Sequence, residues 1–372
     1  MPDHTNDDSD PSQLDLTENV TDDAASDDTV PVERYDITSF GADYDVEGLV
    51  KRLNRGDILI PEFQRDYVWT PKEASKFVES LLLGLPVPGV FMAREPGTNK
   101  LLVIDGQQRL KSLQFFYNGV FNPRSEGALQ RVFKLTKVQK RFEGRTYASL
   151  DEQDRVKLND AIIHATIVKQ ESPAGDDTSI YHIFERLNNG GRRLTPQEIR
   201  VAIYHGPLVD LLGALNDYGP WRTIYGPVSG RLKDQELILR FLAFYVAGAH
   251  YARPMTEFVS RFAAAHQKAP RELLDRWAVT FRSTVDVFAD TLGQAAFRPE
   301  SAINAAVFDS MMVGMARRTD QGPVARGAEV GSAYAQLLGS DQYKEAVSRS
   351  TADDKFVTTR LEMATHAFAR LP

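Results

Sequence analysis

Apolar residues recur along this chain at two spacings, and each spacing predicts its own kind of element. Ala74, Phe77, Val78, Leu81 and Leu82 fall at i, i+3, i+4, i+7 and i+8, the pattern of a helix with one buried face. Its start is marked by Thr70-Pro71-Lys72-Glu73, a capping box with proline in the first turn, and its end by Gly84. Val90 to Arg94 and Leu101 to Ile104 are short apolar runs joined through Pro96-Gly97-Thr98-Asn99, which predicts a hairpin. A helix then opens at Asp105-Gly106, turns Leu110, Leu113, Phe116 and Tyr117 inward, and stops at Gly119.

Farther on, the pattern predicts a helix near Asp151 to Asn159, a strand near Ile162 to Val168 and a helix from Ser179 to Leu187. Thr195-Pro196-Gln197-Glu198 repeats the capping-box logic. Beyond Ile199 the periodicity is almost wholly helical, over Gln235 to Ala249, Met255 to Gln267, Arg271 to Leu292, Glu300 to Arg317 and Asp353 to Leu371. No solenoid repeat is present. The expected fold class is α+β, with a mixed domain over residues 35–200 and a helical domain over 201–372.

Charge changes this picture at one end. Residues 1–34 hold 11 acidic side chains against Arg34 alone, so this segment carries about -10 and, with a net charge of -7, the rest of the chain is about +3. Such a segment lacks the apolar groups to offset its ordering entropy, and 1–34 is expected to be a disordered acidic tail. With no cysteine in the chain, disulfides and thiolate chemistry are excluded. The start has no basic and apolar leader and no apolar run reaches roughly 18 residues, so a cytoplasmic location without a membrane span is expected. The basic stretch 124–145 alternates Arg131, Lys134, Lys137, Lys140 and Arg141 with apolar Val132, Phe133, Leu135 and Val138. A solvated element with one apolar face explains it, and DNA contact is the alternative. His164 in its strand has no companion at metal-ligand spacing and reads as a packed or edge histidine.

A strand that passes into a helix through Asp105-Gly106 presents unpaired N–H groups at the positive end of the helix dipole, a setting that accepts phosphate. Gly106 allows close approach to the backbone, Gln107 and Gln108 bring amides, and Arg109 brings a permanently charged fork. The same residues also satisfy a plain capping box, Asp105 with Gln108, which needs no ligand. Sequence alone leaves both readings standing.

Four segments carry a family resemblance in order and spacing. They are Pro61-x-x-Gln64-Arg65-x-x-x-Trp69, Ser80-x-x-x-Gly84-x-Pro86-x-Pro88, Ile104-Asp105-Gly106-Gln107-Gln108-Arg109, and Phe184-x-Arg186-Leu187-Asn188-x-Gly190-Gly191-x-x-Leu194-Thr195-x-x-Glu198. Together they resemble the domain of unknown function 262 family, over about residues 40–245 including Asp234-Gln235-Glu236 and Arg240-Phe241.

The resemblance implies a ParB/sulfiredoxin-like core followed by a helical domain. It implies a nucleoside triphosphate and magnesium as cofactors, in a defence system against foreign DNA related to modification-dependent restriction enzymes. Asp105, Gln108 and Asn188 are then the candidate catalytic residues, with Asp105 also the candidate metal ligand. Gln64, Arg65, Gly106, Gln107, Arg109, Arg186 and Gly191 are the candidate nucleotide-binding set. Family members often carry a C-terminal HNH nuclease, but the scattered histidines here, His205, His250, His266 and His366 after Ile199, do not make that ligand set. Cleavage is expected to come from a nuclease partner, with DNA and a second copy of the chain as further candidate partners. The rival expectation is a ParB-like DNA-binding or adaptor module without turnover.

Overall fold

The computed structural model describes residues 20–22, 36–60, 67–95, 98, 100–123, 130–172, 183, 194–324 and 327–372. The chain forms two compact units, Val32–His205 and Gly206–Pro372, the second of which includes residues 20–22. The class is α+β. The boundary at 205/206 lies a few residues beyond the expected one.

The first unit is built on a five-stranded sheet of order β2-β8-β4-β5-β3. Its strands are β2 (Asp36–Asp45), β3 (Ile58–Leu59), β4 (Val90–Arg94), β5 (Leu101–Asp105) and β8 (Ile162–Ser172). The segment before Ile60 supplies β2, the helix α1 (Val46–Arg55) and β3. Strands β4 and β5 pair antiparallel as the hairpin pattern predicts, while β4 runs parallel to β8 and β3 parallel to β5. Burial on both faces explains why β5 reads as an unbroken apolar run rather than an alternating one.

Helices α1, α2 (Pro71–Leu83) and α3 (Gln107–Asn118) turn their apolar stripes onto this sheet. Leu49, Val78, Leu82, Leu110, Leu113 and Phe116 join Met92, Val103 and Ile167 in one core. The α2 capping box is present as expected, Glu73 accepting from the Thr70 backbone at 2.7 Å and Thr70 Oγ from Glu73 at 3.3 Å. Gly84 closes the helix at φ 75°. Helix α4 (Glu152–Asn159) precedes β8, and α5 (Pro196–Ile203) opens on the second capping box, from Thr195 to Glu198. The helix expected from Ser179 to Leu187 lies outside the described residues, Ile183 apart.

The described part of the basic stretch carries the short strand β7 (Arg131–Val132), paired with β6 (Val120–Phe121). Phe133, Leu135 and Phe142 are buried in the core while Arg131, Lys134, Lys137, Lys140 and Arg141 stay exposed. Glu79 Oε1 accepts from Gln139 N at 2.6 Å and Ser75 Oγ from Thr136 N at 3.0 Å, so α2 holds this segment by its backbone.

The second unit is helical, with α6 (Pro207–Asn216), α7 (Gly219–Tyr225), α8 (Lys233–Ala247), α9 (Met255–His266), α10 (Arg271–Leu292), α11 (Ala305–Thr319), α12 (Ala328–Gly339), α13 (Asp341–Ser348) and α14 (Asp354–Phe368). Helix α11 is buried along almost its whole length, mostly by apolar side chains, with Asp309 and Ser310 as buried polar members. A Cβ at Gly314 would stand 2.6 Å from the Ala364 backbone, so α11 and α14 cross nearly backbone to backbone. Asp234, wholly buried at the start of α8, accepts from Asn216, Arg222 and the Ser229 backbone at 2.9 to 3.0 Å and fixes the turn before its helix. No helix among the described residues is long and apolar enough to cross a membrane.

Two expectations are corrected here. The helix expected from Glu300 begins only at Ala305, because Ile303–Asn304 is a strand, β9. Its parallel partner is β1, Val20–Thr21, inside the segment expected to be a disordered tail. Val20 is buried, so this stretch of the acidic segment does contribute a core residue, while 1–19 and 23–35 lie outside the described residues.

Candidate functional site

Strand β5 ends at Asp105, and the chain turns through Gly106 into α3. Gly106 holds φ 98°, a conformation that residues with a side chain rarely adopt, and a Cβ there would meet Val90 Cγ1 at 2.6 Å. The junction is therefore built for glycine twice over, by torsion and by crowding from β4.

This geometry corrects the capping-box reading of the signature. Gly106, not Asp105, is the residue at the helix cap, and no side-chain cap bond reaches the first turn of α3 among the described residues. The three N–H groups of that turn have no intrahelical acceptors, as in any helix start. Asp105 turns to Arg109 instead, with Oδ2 2.7 Å from Nη2. The arginine side chain is 15% exposed and the aspartate 46%, so the guanidinium is held in place while the carboxylate faces solvent. Its remaining N–H donors stay available to a ligand, since a guanidinium has five.

The two glutamines divide their roles. Gln108 Oε1 accepts from the backbone of Val68 at 3.1 Å and Trp69 at 3.3 Å, which ties the residues just before α2 to the start of α3. Gln108 Nε2 and Gln107 Oε1 are buried with no hydrogen-bond partner among the described residues. A buried amide atom left unpaired costs about 1 to 3 kcal/mol, so a donor and an acceptor at one junction are a place where a polar ligand would be repaid. Gln108, expected to be catalytic, thus has a tethering function through its oxygen.

Tyr67 and Ser112 complete that tether, and sequence reasoning had not singled them out. The Tyr67 hydroxyl lies 2.7 Å from Ser112 Oγ, which donates in turn to the Gln108 carbonyl at 2.7 Å. Burial pushes the Tyr67 phenol up to about 12, and its ring packs edge-on against Phe115 and Phe121. The available signal was spacing: Ser112 stands one helical turn after Gln108, and Tyr67 two residues before the tethered Trp69.

Of the expected site residues, the structure brings together Asp105, Gly106, Gln107, Gln108 and Arg109. Gln64, Arg65, Arg186, Asn188 and Gly191 lie outside the described residues. Among the described residues no cluster of three or more His, Asp or Glu side chains could hold a metal ion, and Asp105 is a single carboxylate paired with an arginine. His164 pairs with Asp43 at 2.8 Å on the exposed face of β8, an inner strand between β2 and β4, so it is neither packed nor at an edge.

Residues 46–205, from the start of α1 to the end of the first unit, match the family described as GmrSD restriction endonuclease, N-terminal domain. The uncharacterized protein MJ0686 of Methanocaldococcus jannaschii is 30% identical over 99 residues, covering 20% of this chain and 16% of that protein. The chain thus spans a small part of that relative's length. The first unit, with the β5–α3 junction inside it, is thus similar to the N-terminal domain of a restriction endonuclease family.

Proposed function

We propose that the first unit binds a nucleoside triphosphate at the β5–α3 junction and hydrolyses it, as the nucleotide-dependent component of a restriction-type defence system against foreign DNA. One observation carries the reading: a helix start free of any side-chain cap, entered through a positive-φ glycine, with Arg109 braced by Asp105 at 2.7 Å beside it. Backbone N–H groups at such a start hydrogen-bond phosphate oxygens, and the helix dipole favours their charge. The unpartnered Gln107 Oε1 and Gln108 Nε2 are suited to ribose or base groups.

Arg109 neutralises phosphate charge, and Asp105 keeps its guanidinium in a fixed rotamer. Magnesium, when it accompanies a triphosphate, screens the phosphate charges and needs only one or two protein carboxylates, a demand the half-exposed Asp105 meets. Gln108, through Val68 and Trp69, positions the chain that follows Gln64 and Arg65 against this helix start. In this reading Arg65, Gln64, Arg186 and Gly191 complete the phosphate-binding set, and Asn188 orients the attacking water. The ParB/sulfiredoxin-like nature of the core belongs to the same proposal, as does a separate nuclease partner.

A second reading rests on the exposed Arg131, Lys134, Lys137 and Lys140, which suit a DNA backbone. It makes the chain a DNA-binding adaptor without turnover.

The deciding experiment measures phosphate release from each of the four triphosphates, with magnesium, with and without DNA. Turnover that Arg109→Ala abolishes supports the nucleotide site. A salt-dependent DNA shift with no phosphate release from any triphosphate would replace it with the adaptor reading.

A further inference from the structure

The helical unit contains a second charged arrangement, unrelated to the β5–α3 junction. Arg240 on α8 forms a two-pronged pair with Asp309 on α11, Nη2 to Oδ2 at 2.6 Å and Nε to Oδ1 at 3.2 Å. Arg360 on α14 reaches the same carboxylate at 3.7 Å and donates to the Thr351 carbonyl at 2.5 Å. Arg240 is 2% exposed, and Asp309 and Arg360 are fully buried. Two guanidinium groups and one carboxylate leave a surplus positive charge inside the bundle, since arginine does not give up its proton in a protein.

Asp22 supplies the missing charge, its carboxylate meeting Arg240 Nη1. Burial works against the charge of Arg240, but Asp22 and Asp309, with a smaller contribution from Glu236, outweigh it and raise its pKa above the ordinary arginine value. The two residues before Asp22 are held independently. Val20 and Thr21 pair in parallel with Ile303 and Asn304, and Val20 is buried.

We propose that the helical unit carries a receptor site for a short extended peptide ending in a carboxylate side chain, and that residues 20–22 of this same chain fill it as an internal ligand. The recognition has the two parts of peptide capture by strand addition: backbone pairing along β9 gives register, and the buried arginine pair selects an acidic third residue. Thr21 faces solvent and Asp22 is about a quarter exposed, so the bound segment sits at the rim of the helical unit rather than threading it. When it leaves, the surplus charge on Arg240 and Arg360 demands another anion, so an acidic peptide competes for the same place.

The test uses the full chain with a protease site inserted between residues 23 and 35, cut after folding. The severed N-terminal fragment should co-elute with the rest on gel filtration as a monomer. A labelled synthetic peptide of residues 14–25 should exchange into its place, and the same peptide carrying Asp22→Asn should bind at least tenfold more weakly. In the uncut chain, Asp22→Ala should lower the melting temperature by roughly 6 to 20 °C, and Asp22→Glu should restore part of that loss. A fragment that falls away on cutting with no change in melting temperature overturns the proposal. So does equal competition by the Asp22→Asn peptide. A dimeric uncut chain that becomes monomeric on cutting would assign the occupant to a second copy and overturn the internal assignment.

Discussion

Two arginine–aspartate arrangements among the described residues resemble each other in chemistry and differ in surroundings. At the β5–α3 junction, Asp105 and Arg109 belong to one local stretch of chain, keep contact with solvent and stand beside an uncapped helix start with two unpaired amide atoms. In the helical unit, Arg240, Asp309 and Arg360 come from three helices, are sealed from solvent and are completed by Asp22 from the far end of the chain. The first arrangement leaves donors free for something outside the protein. The second is closed to solvent, so the Arg360 Nε and Nη2 donors, which have no hydrogen-bond partner among the described residues, are out of reach of an outside ligand. An ion pair is therefore not a signature of either function or stability. What separates the two is whether the charged groups can be reached from solvent.

The largest expected effect comes from breaking the sealed arrangement. Asp309→Ala leaves two buried guanidinium groups without their shared carboxylate and should cost about 3 to 5 kcal/mol of folding stability, read by urea denaturation. Asp105→Ala, the matching change at the junction, should cost under about 1 kcal/mol because the pair is partly solvated, while phosphate release falls far more. Equal stability losses in these two variants would erase the distinction drawn here.

Gly106→Ala sharpens the comparison next. The positive φ and the contact with Val90 together should cost about 1 to 3 kcal/mol of stability and displace the helix start, with loss of nucleotide binding. Arg109→Ala should weaken triphosphate binding roughly ten- to a hundredfold by calorimetry, with the melting temperature nearly unchanged. Unchanged binding together with a large drop in melting temperature would make Arg109 a structural staple and sink the nucleotide site.

The smallest effect concerns Glu73, an exposed carboxylate that stabilises by local capping alone. Hydrogen bonds from the Thr70 backbone and hydroxyl hold its pKa below the usual carboxylate range. Its contribution is therefore complete above that range and is lost as pH falls through its lowered folded value. Glu73→Ala should cost about 0.5 to 1 kcal/mol at neutral pH and less in acid, read by denaturation at both.

What the sequence made legible follows from the range of each interaction. The capping boxes at Thr70 and Thr195 and the β4–β5 hairpin depend on neighbours within a few residues, and the structure has all three. The signature at Ile104 to Arg109 was legible as a strand running into a helix, but its capping was misread. Asp105 and Gln108 have capping-box spacing, but Asp105 is still the last residue of β5 and the chain turns at Gly106 with φ 98°, so the cap falls one residue later. The link to restriction systems came from spaced motifs rather than from periodicity, and the match over residues 46–205 supports it. Residues 20–22 were illegible because composition argued for disorder, and the groups that order them lie 218 and 282 positions away.

That separation has a kinetic consequence. Closing a loop costs entropy that rises with its length, and contacts far apart in sequence slow folding. The β1–β9 pairing needs Ile303, and the charge cluster that Asp22 neutralises needs Arg360. During synthesis Val20 emerges early and then waits for about 280 residues before its partner strand exists. The first unit is complete in sequence by His205, well before that closure. Refolding should accordingly show the Val32–His205 unit forming ahead of a slower phase in which the β1 strap docks, and that slow phase should vanish when Asp22 is replaced.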